Sequence, residues 1–121
     1  MSQMMTRIKL PKKMKTLKFD TTLVPLILSG EKTATWRLFD DKNLSVNDEL
    51  EFIEKQSGQK FGKAIIVGID EKKLGEISES DFDGHEKFVS HEEIMRTYQK
   101  YYGDKVGEDT IVKMIKFRII K

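Results

Sequence analysis

Two glycines inside one apolar stretch constrain this chain more than any other feature. Residues 61–69 have the composition of a strand, yet Gly62 and Gly68 interrupt it, and interior glycines mark places where a strand bulges or bends. A partner precedes it: Leu50, Phe52 and Ile53 form another strand, joined to the first by a turn over residues 56–59 that contains Gly58. The later arm runs on to about Leu74. A long hairpin with built-in bends is how a sheet curls, so the chain reads as a small curled sheet or barrel rather than a βαβ unit.

The remaining elements fit around that hairpin. Met14, Leu17 and Phe19 among lysines suit a first strand. Asp20, Thr21 and Thr22 offer caps for a helix, and with Thr22 as the cap Pro25 falls in the first turn, where its missing N–H costs little. Gly30 ends that helix, and Thr33, Ala34, Thr35 and Trp36 favour extended backbone. Residues 38–48, rich in Asp, Asn and Ser, form a loop expected to border whatever Thr35 and Arg37 face. Ser90, with Glu93 three residues on, is a capping box. It opens a helix over residues 91–102 in which Ile94, Met95, Tyr98, Tyr101 and Tyr102 keep helical spacing up to Gly103. Residues 111–120 alternate as a strand with one firmly apolar face, Ile111, Ile115, Phe117 and Ile119. The class is α+β, with about five or six strands and two main helices.

A chain of 121 residues, 38% hydrophobic and 35% charged, suits a single core. The absence of cysteine excludes disulfides, thiolate catalysis and cysteine-based metal sites, and suits a reducing cytoplasm. With only two histidines no metal site is expected, and His85 beside Glu86 lacks further ligands nearby. No cofactor is expected. No apolar run is long enough for a membrane span and no signal peptide is recognisable, so the expectation is a cytoplasmic protein with no membrane contact. The net charge of +2 conceals an asymmetry: residues 1–19 carry +6 and no acid, leaving −4 for the rest. Residues 1–13 are expected to be a flexible basic arm ahead of a domain over residues 14–121. Such an arm either holds a phosphate backbone by counterion release or keeps the protein solvated.

Chemistry is densest in Gly30-Glu31-Lys32-Thr33-Ala34-Thr35-Trp36-Arg37. On a strand Thr33, Thr35 and Arg37 share one face and Ala34 and Trp36 the other, which predicts a polar site backed by core. The pattern Gly30-x-Lys32-x-x-x-x-Arg37 after a short helix resembles the signature of the ASCH domain family, whose fold is similar to the PUA domain. Asn47-Asp48-Glu49-Leu50, Asp83-Gly84-His85-Glu86 and the helix end Tyr101-Tyr102-Gly103 extend the resemblance over residues 14–121. It implies a PUA-like small β-barrel with a cleft between the motif strand, the loop after it and the second helix. It also implies several tasks: RNA binding, removal of the acetyl group from 4-N-acetylcytidine, or RNA cleavage. Fold resemblance does not choose among them. In the amidohydrolase branch the lysine and second threonine of a Lys-Thr-x-Thr-x-Arg stretch act with a downstream glutamate. These carry over onto Lys32 and Thr35, with Glu86 as the candidate for the third.

The residues themselves admit two chemistries. In a binding role Lys32 and Arg37 pair with phosphate, Thr33 and Thr35 bond sugar or base, and His85 or an aromatic stacks a base of RNA or a nucleotide. In a metal-independent hydrolase of a modified nucleoside, Thr35 attacks, Lys32 takes its proton, and Glu86 delivers one to the leaving amine, with Arg37 at the oxyanion. A non-catalytic module that binds a protein stands beside both. The structural alternatives are that Lys32 and Arg37 brace the fold by pairing with Glu31, Asp40 or Glu86, that Trp36 is core, and that the tyrosines are packing rather than a cleft wall.

Overall fold

The computed structural model describes residues 14–120, and the basic arm expected over residues 1–13 lies outside the described residues. In chain order come β1 (Lys15–Phe19), a 3₁₀ turn (Thr21–Leu23), α1 (Val24–Ser29), β2 (Ala34–Leu38), β3 (Glu49–Glu54) and β4 (Lys60–Lys73). Two further 3₁₀ turns (Leu74–Glu76 and Glu79–Phe82) lead to α2 (His91–Tyr102) and β5 (Ile111–Ile120). The five strands form one mixed sheet in the order β1-β3-β4-β5-β2, parallel between β1 and β3 and antiparallel elsewhere. It curls into a PUA-like half-barrel. No helix among the described residues is long and apolar enough to cross a membrane.

The curl originates beside the two glycines. Phe52 pairs with Gly62 but Ile53 with Lys60, which leaves Phe61 as an extra residue. On the other edge Ile66 pairs with Phe117 but Gly68 with Lys116, which leaves Val67 over. Each extra residue bends β4 and increases its twist, so one 14-residue strand serves β3 near its start and β5 along most of its length.

Capping follows the sequence with two adjustments. Asp20 rather than Thr22 caps the turn into α1: its Oδ2 accepts from the Thr22 N–H at 2.9 Å and the Thr22 hydroxyl at 2.6 Å. Gly30 closes α1 at φ 86°, a left-handed position suited to glycine. At α2, Ser90 accepts from the Glu93 N–H at 3.1 Å, but the Glu93 carboxylate takes the N–H of Val89 instead of Ser90. The box is therefore half made.

Two apolar clusters lie on opposite faces of the sheet. Inside the curl Leu17, Phe19, Leu50, Phe52, Ile66, Ile115 and Phe117 are buried, with Phe52 edge-on to Phe19 and Phe117 at centroid distances of 4.7 and 4.9 Å. Outside it, Trp36, Leu38 and Val112 pack under Ile94 and Tyr98 of α2 and under Leu74, Ile77 and Val106. This corrects the expectation for β5. On its odd face Ile115, Phe117 and Ile119 pack inside the curl while Ile111 is exposed, and on the even face Val112 and Met114 belong to the outer cluster, because α2 covers that half of the strand.

The sheet does not close by backbone pairing. Its two edges, β1 and β2, are bridged by long cations instead: Arg37 Nη2 donates to the Lys18 carbonyl at 2.9 Å, and Lys42 Nζ to the Thr16 carbonyl at 2.7 Å. Asp40 holds the loop that carries Lys42, accepting from the N–H groups of Lys42 (2.9 Å) and Leu44 (2.8 Å) and from Lys113 Nζ (2.7 Å). The loop over residues 38–48 thus braces the seam.

Candidate functional site

A cavity of about 270 Å³ opens at this seam. β1 contributes Lys18 and Phe19, the motif contributes Lys32, Thr35, Trp36 and Arg37, and α2 contributes Tyr98, Tyr101 and Tyr102. Asp20, Leu23, Lys55, His85 and Glu86 complete the lining. The loop over residues 38–48 supplies none of these residues, contrary to the sequence reading; its aspartate is spent on bracing.

Strand β2 begins only at Ala34, and that shift decides where Lys32 goes. Before it, the Lys32 N–H donates to the Leu26 carbonyl at 2.9 Å, and the N–H groups of Thr33 and Ala34 both donate to the Gly84 carbonyl at 2.9 and 3.0 Å. Strand alternation therefore does not extend back to Lys32. Its side chain turns inward with 3% of its surface exposed, where Nζ donates to the Ala34 carbonyl at 2.7 Å and to Glu86 Oε2 at 2.5 Å. Thr35 is buried in the same wall, and Arg37 Nε approaches its hydroxyl at 3.4 Å. Thr33 is exposed, packs against Gly84 and lies outside the cavity.

Glu86 arrives from 54 residues downstream. The turn ahead of it is fixed by Gly84 at φ 74° and by the His85 N–H donating to the Phe82 carbonyl at 2.9 Å. His85 stacks on Trp36 with centroids 4.0 Å apart and planes 16° from parallel, so one face of its ring is taken by the protein. Its Nδ1 donates to the Glu86 carbonyl at 2.8 Å. Trp36 is 3% exposed and is core, as its strand face predicts. Of the tyrosines, Tyr98 is buried, Tyr102 half-buried and Tyr101 exposed at the rim. They pack and line the cavity at once.

Burial governs the charges. Desolvation pulls the Lys32 pKa below its ordinary value, Arg37 adds to that, and Glu86 opposes it. Burial also works against the ionised form of Glu86, yet His85 in its protonated form, together with the charge of Lys32 and the hydrogen bond it donates, outweighs that and keeps the Glu86 pKa low. Arg37 has no carboxylate partner among the described residues; its guanidinium rests on the Phe19 ring at 4.9 Å and on the Lys18 carbonyl. His85 is pushed down to about 4, first by desolvation and then by Lys32, so it is neutral at pH 7.

The last shift gives a stability prediction. As pH falls below 6.5, the ordinary value, the unfolded chain takes up the histidine proton before the folded chain does. The stability that neutral His85 contributes is therefore full above 6.5 and is lost progressively down to the folded value of about 4, by about 3 kcal/mol for this group. Urea unfolding between pH 7 and pH 4 measures this, and His85→Gln is expected to flatten the profile. A native profile flat over that range would mean that His85 is not held neutral.

Sequence reasoning missed Lys18 and Lys55, exposed cations on the rim with Lys55 Nζ 6.0 Å from the Tyr101 ring centre. Neither belongs to a motif. Both arrive through the pairing of β1 with β3, which periodicity does not encode.

No family model matches the chain, and no curated protein does. Solved structures do. A protein of Enterococcus faecalis assigned to family DUF984 superposes with a TM-score of 0.75 at 17% identity, over 98% of this chain and 88% of its own. An ASCH domain from Lactobacillus crispatus gives 0.66 at 15%, over 98% and 89%. The ASCH protein of Zymomonas mobilis gives 0.61 at 16%, over 88% and 68%. At such identities the likeness is one of backbone, and it answers the architectural question left by the sequence: this chain has the ASCH-domain fold.

Proposed function

We propose that the chain binds a modified nucleoside in the seam cavity and hydrolyses an amide on it, as an N-acyl nucleoside amidohydrolase. One observation carries the reading: Lys32 Nζ, 3% exposed, meets Glu86 Oε2 at 2.5 Å in the wall that also holds the Thr35 hydroxyl. A lysine so enclosed is poorly placed to clamp a phosphate from solvent and well placed to move a proton. Lys32 hands its proton to Glu86 and takes that of Thr35 as the hydroxyl oxygen bonds to the acyl carbon. Arg37, beside Thr35, faces the developing oxyanion. The carbon–nitrogen bond breaks as Glu86 protonates the leaving amine. Water then repeats the sequence against the acyl-threonine, releasing the carboxylic acid and restoring all three side chains.

Release of acetate from 4-N-acetylcytidine by the purified chain tests this, and no release above the uncatalysed rate would overturn it. A second reading, binding of RNA or a nucleotide without turnover, is favoured by a different observation. Arg37 lacks an acid partner among the described residues, and Lys18 and Lys55 flank the mouth. Titration with single-stranded RNA at two salt concentrations tests it, since phosphate contacts require affinity that falls with salt.

A further inference from the structure

His85 lies in the cavity wall but is neither nucleophile, base nor proton donor in the scheme above. Its Nδ1 is committed to a carbonyl, the main-chain oxygen of Glu86 at 2.8 Å. A carbonyl only accepts, so Nδ1 carries the hydrogen, and the neutral ring presents Nε2 as a bare acceptor. The side chain is 4% exposed and stacked on Trp36, so the ring has no freedom to swing out. Among the described residues no donor meets Nε2, and the cavity is the space that His85 lines.

The surrounding polar groups make this acceptor unusual. Lys32 and Arg37 are donors. Oε2 of Glu86 is engaged by Lys32, and both carboxylate oxygens of Asp20 by Thr22 and Gln56. Thr35 and the tyrosines add hydroxyls that can donate or accept. A ligand therefore meets ammonium and guanidinium donors and rotatable hydroxyls, with one ring nitrogen that is fixed in place and acts only as an acceptor. That acceptor sits on the residue next to Glu86, the group assigned to protonate the leaving nitrogen.

We propose that His85 is a specificity-determining residue whose Nε2 accepts a hydrogen bond from the N–H of a secondary amide, so that the cavity selects monoacylated amino groups over amides without that hydrogen. The inference rests on the amidohydrolase reading for its substrate class. A ligand lacking the N–H leaves Nε2 buried and unpaired, a loss that corresponds to about ten- to a hundredfold in kcat/KM.

The test compares 4-N-acetylcytidine with its 4-N-methyl derivative, by turnover and by equilibrium binding, in the native chain and in His85→Gln and His85→Ala. The native chain is expected to prefer the N–H substrate about ten- to a hundredfold. His85→Gln, which retains an acceptor, is expected to keep part of that preference; His85→Ala, which removes the acceptor and adds room, to bring the ratio near one. Equal use of both substrates by the native chain overturns the proposal. So does a preference that survives in His85→Ala, because it would then be steric and arise elsewhere. Binding with the expected preference but no turnover overturns the amidohydrolase reading alone, and no binding of either compound overturns both.

Discussion

Lys32→Met is expected to lower turnover of 4-N-acetylcytidine by about two to four orders of magnitude, the usual range for removing a positioned acid–base group, without unfolding the protein. The two effects separate because burial, the largest influence on Lys32, depresses its pKa despite the carboxylate 2.5 Å away. The folded state therefore carries the ammonium at a net cost below its ordinary pKa, and methionine fills the same space without it. The carboxylate left behind is 35% exposed and remains hydrated. Thermal unfolding of Lys32→Met is expected within a few degrees of the native protein, or above it. Glu86→Gln reverses the pattern: it strands an ammonium at 3% exposure, with destabilisation of about 3 kcal/mol. Native-like turnover by Lys32→Met would remove lysine from the mechanism, and equal destabilisation by both substitutions would contradict the asymmetry of the pair.

Gly84→Ala is expected to cost about 2–5 kcal/mol, adding a left-handed backbone penalty to an overpacking penalty. Gly84 has φ 74°, and a Cβ there would lie 2.1 Å from the Thr33 hydroxyl oxygen and 3.4 Å from the Thr33 Cβ. Moving away is not simple, since the Gly84 carbonyl receives the N–H groups of both Thr33 and Ala34 at the start of β2. A shift large enough to relieve the contact would also carry His85 and Glu86 off the cavity wall. Chemical denaturation of Gly84→Ala, Thr33→Ala and the double variant separates the parts. The steric share should be recovered in the double variant and the backbone share should remain. Additive losses would mean that the contact with Thr33 is not the cause.

Much of the site was legible because it is local. Gly30 as helix end, Ala34 and Trp36 as core, and Thr35 with Arg37 on the opposite face all follow from a six-residue helix meeting a five-residue strand. The same alternation misplaced Thr33. Backbone bonds to the Gly84 carbonyl delay the strand by one residue, so Lys32 enters the wall and Thr33 leaves it. The stretch over residues 38–48 is loop apart from Leu38, which ends β2, but it was wrongly read as cavity rim, because no local signal tells that Asp40 will be taken by Lys113, 73 residues on.

By itself the sequence determined the elements and their curl, since strand period, capping residues and the glycines at the two bulges act within a few residues of chain. It also supplied the motif, and the family resemblance offered Glu86 as a candidate partner of Lys32 beside Glu31 and Asp40. What the tertiary structure alone decided is that Lys32 and Glu86 meet, and that they do so in a seam between β1 and β2 where side chains replace a backbone ladder. A contact across 54 residues depends on strand order and on which carbonyl a turn offers. Those are properties of the assembled sheet, with no counterpart in local pattern.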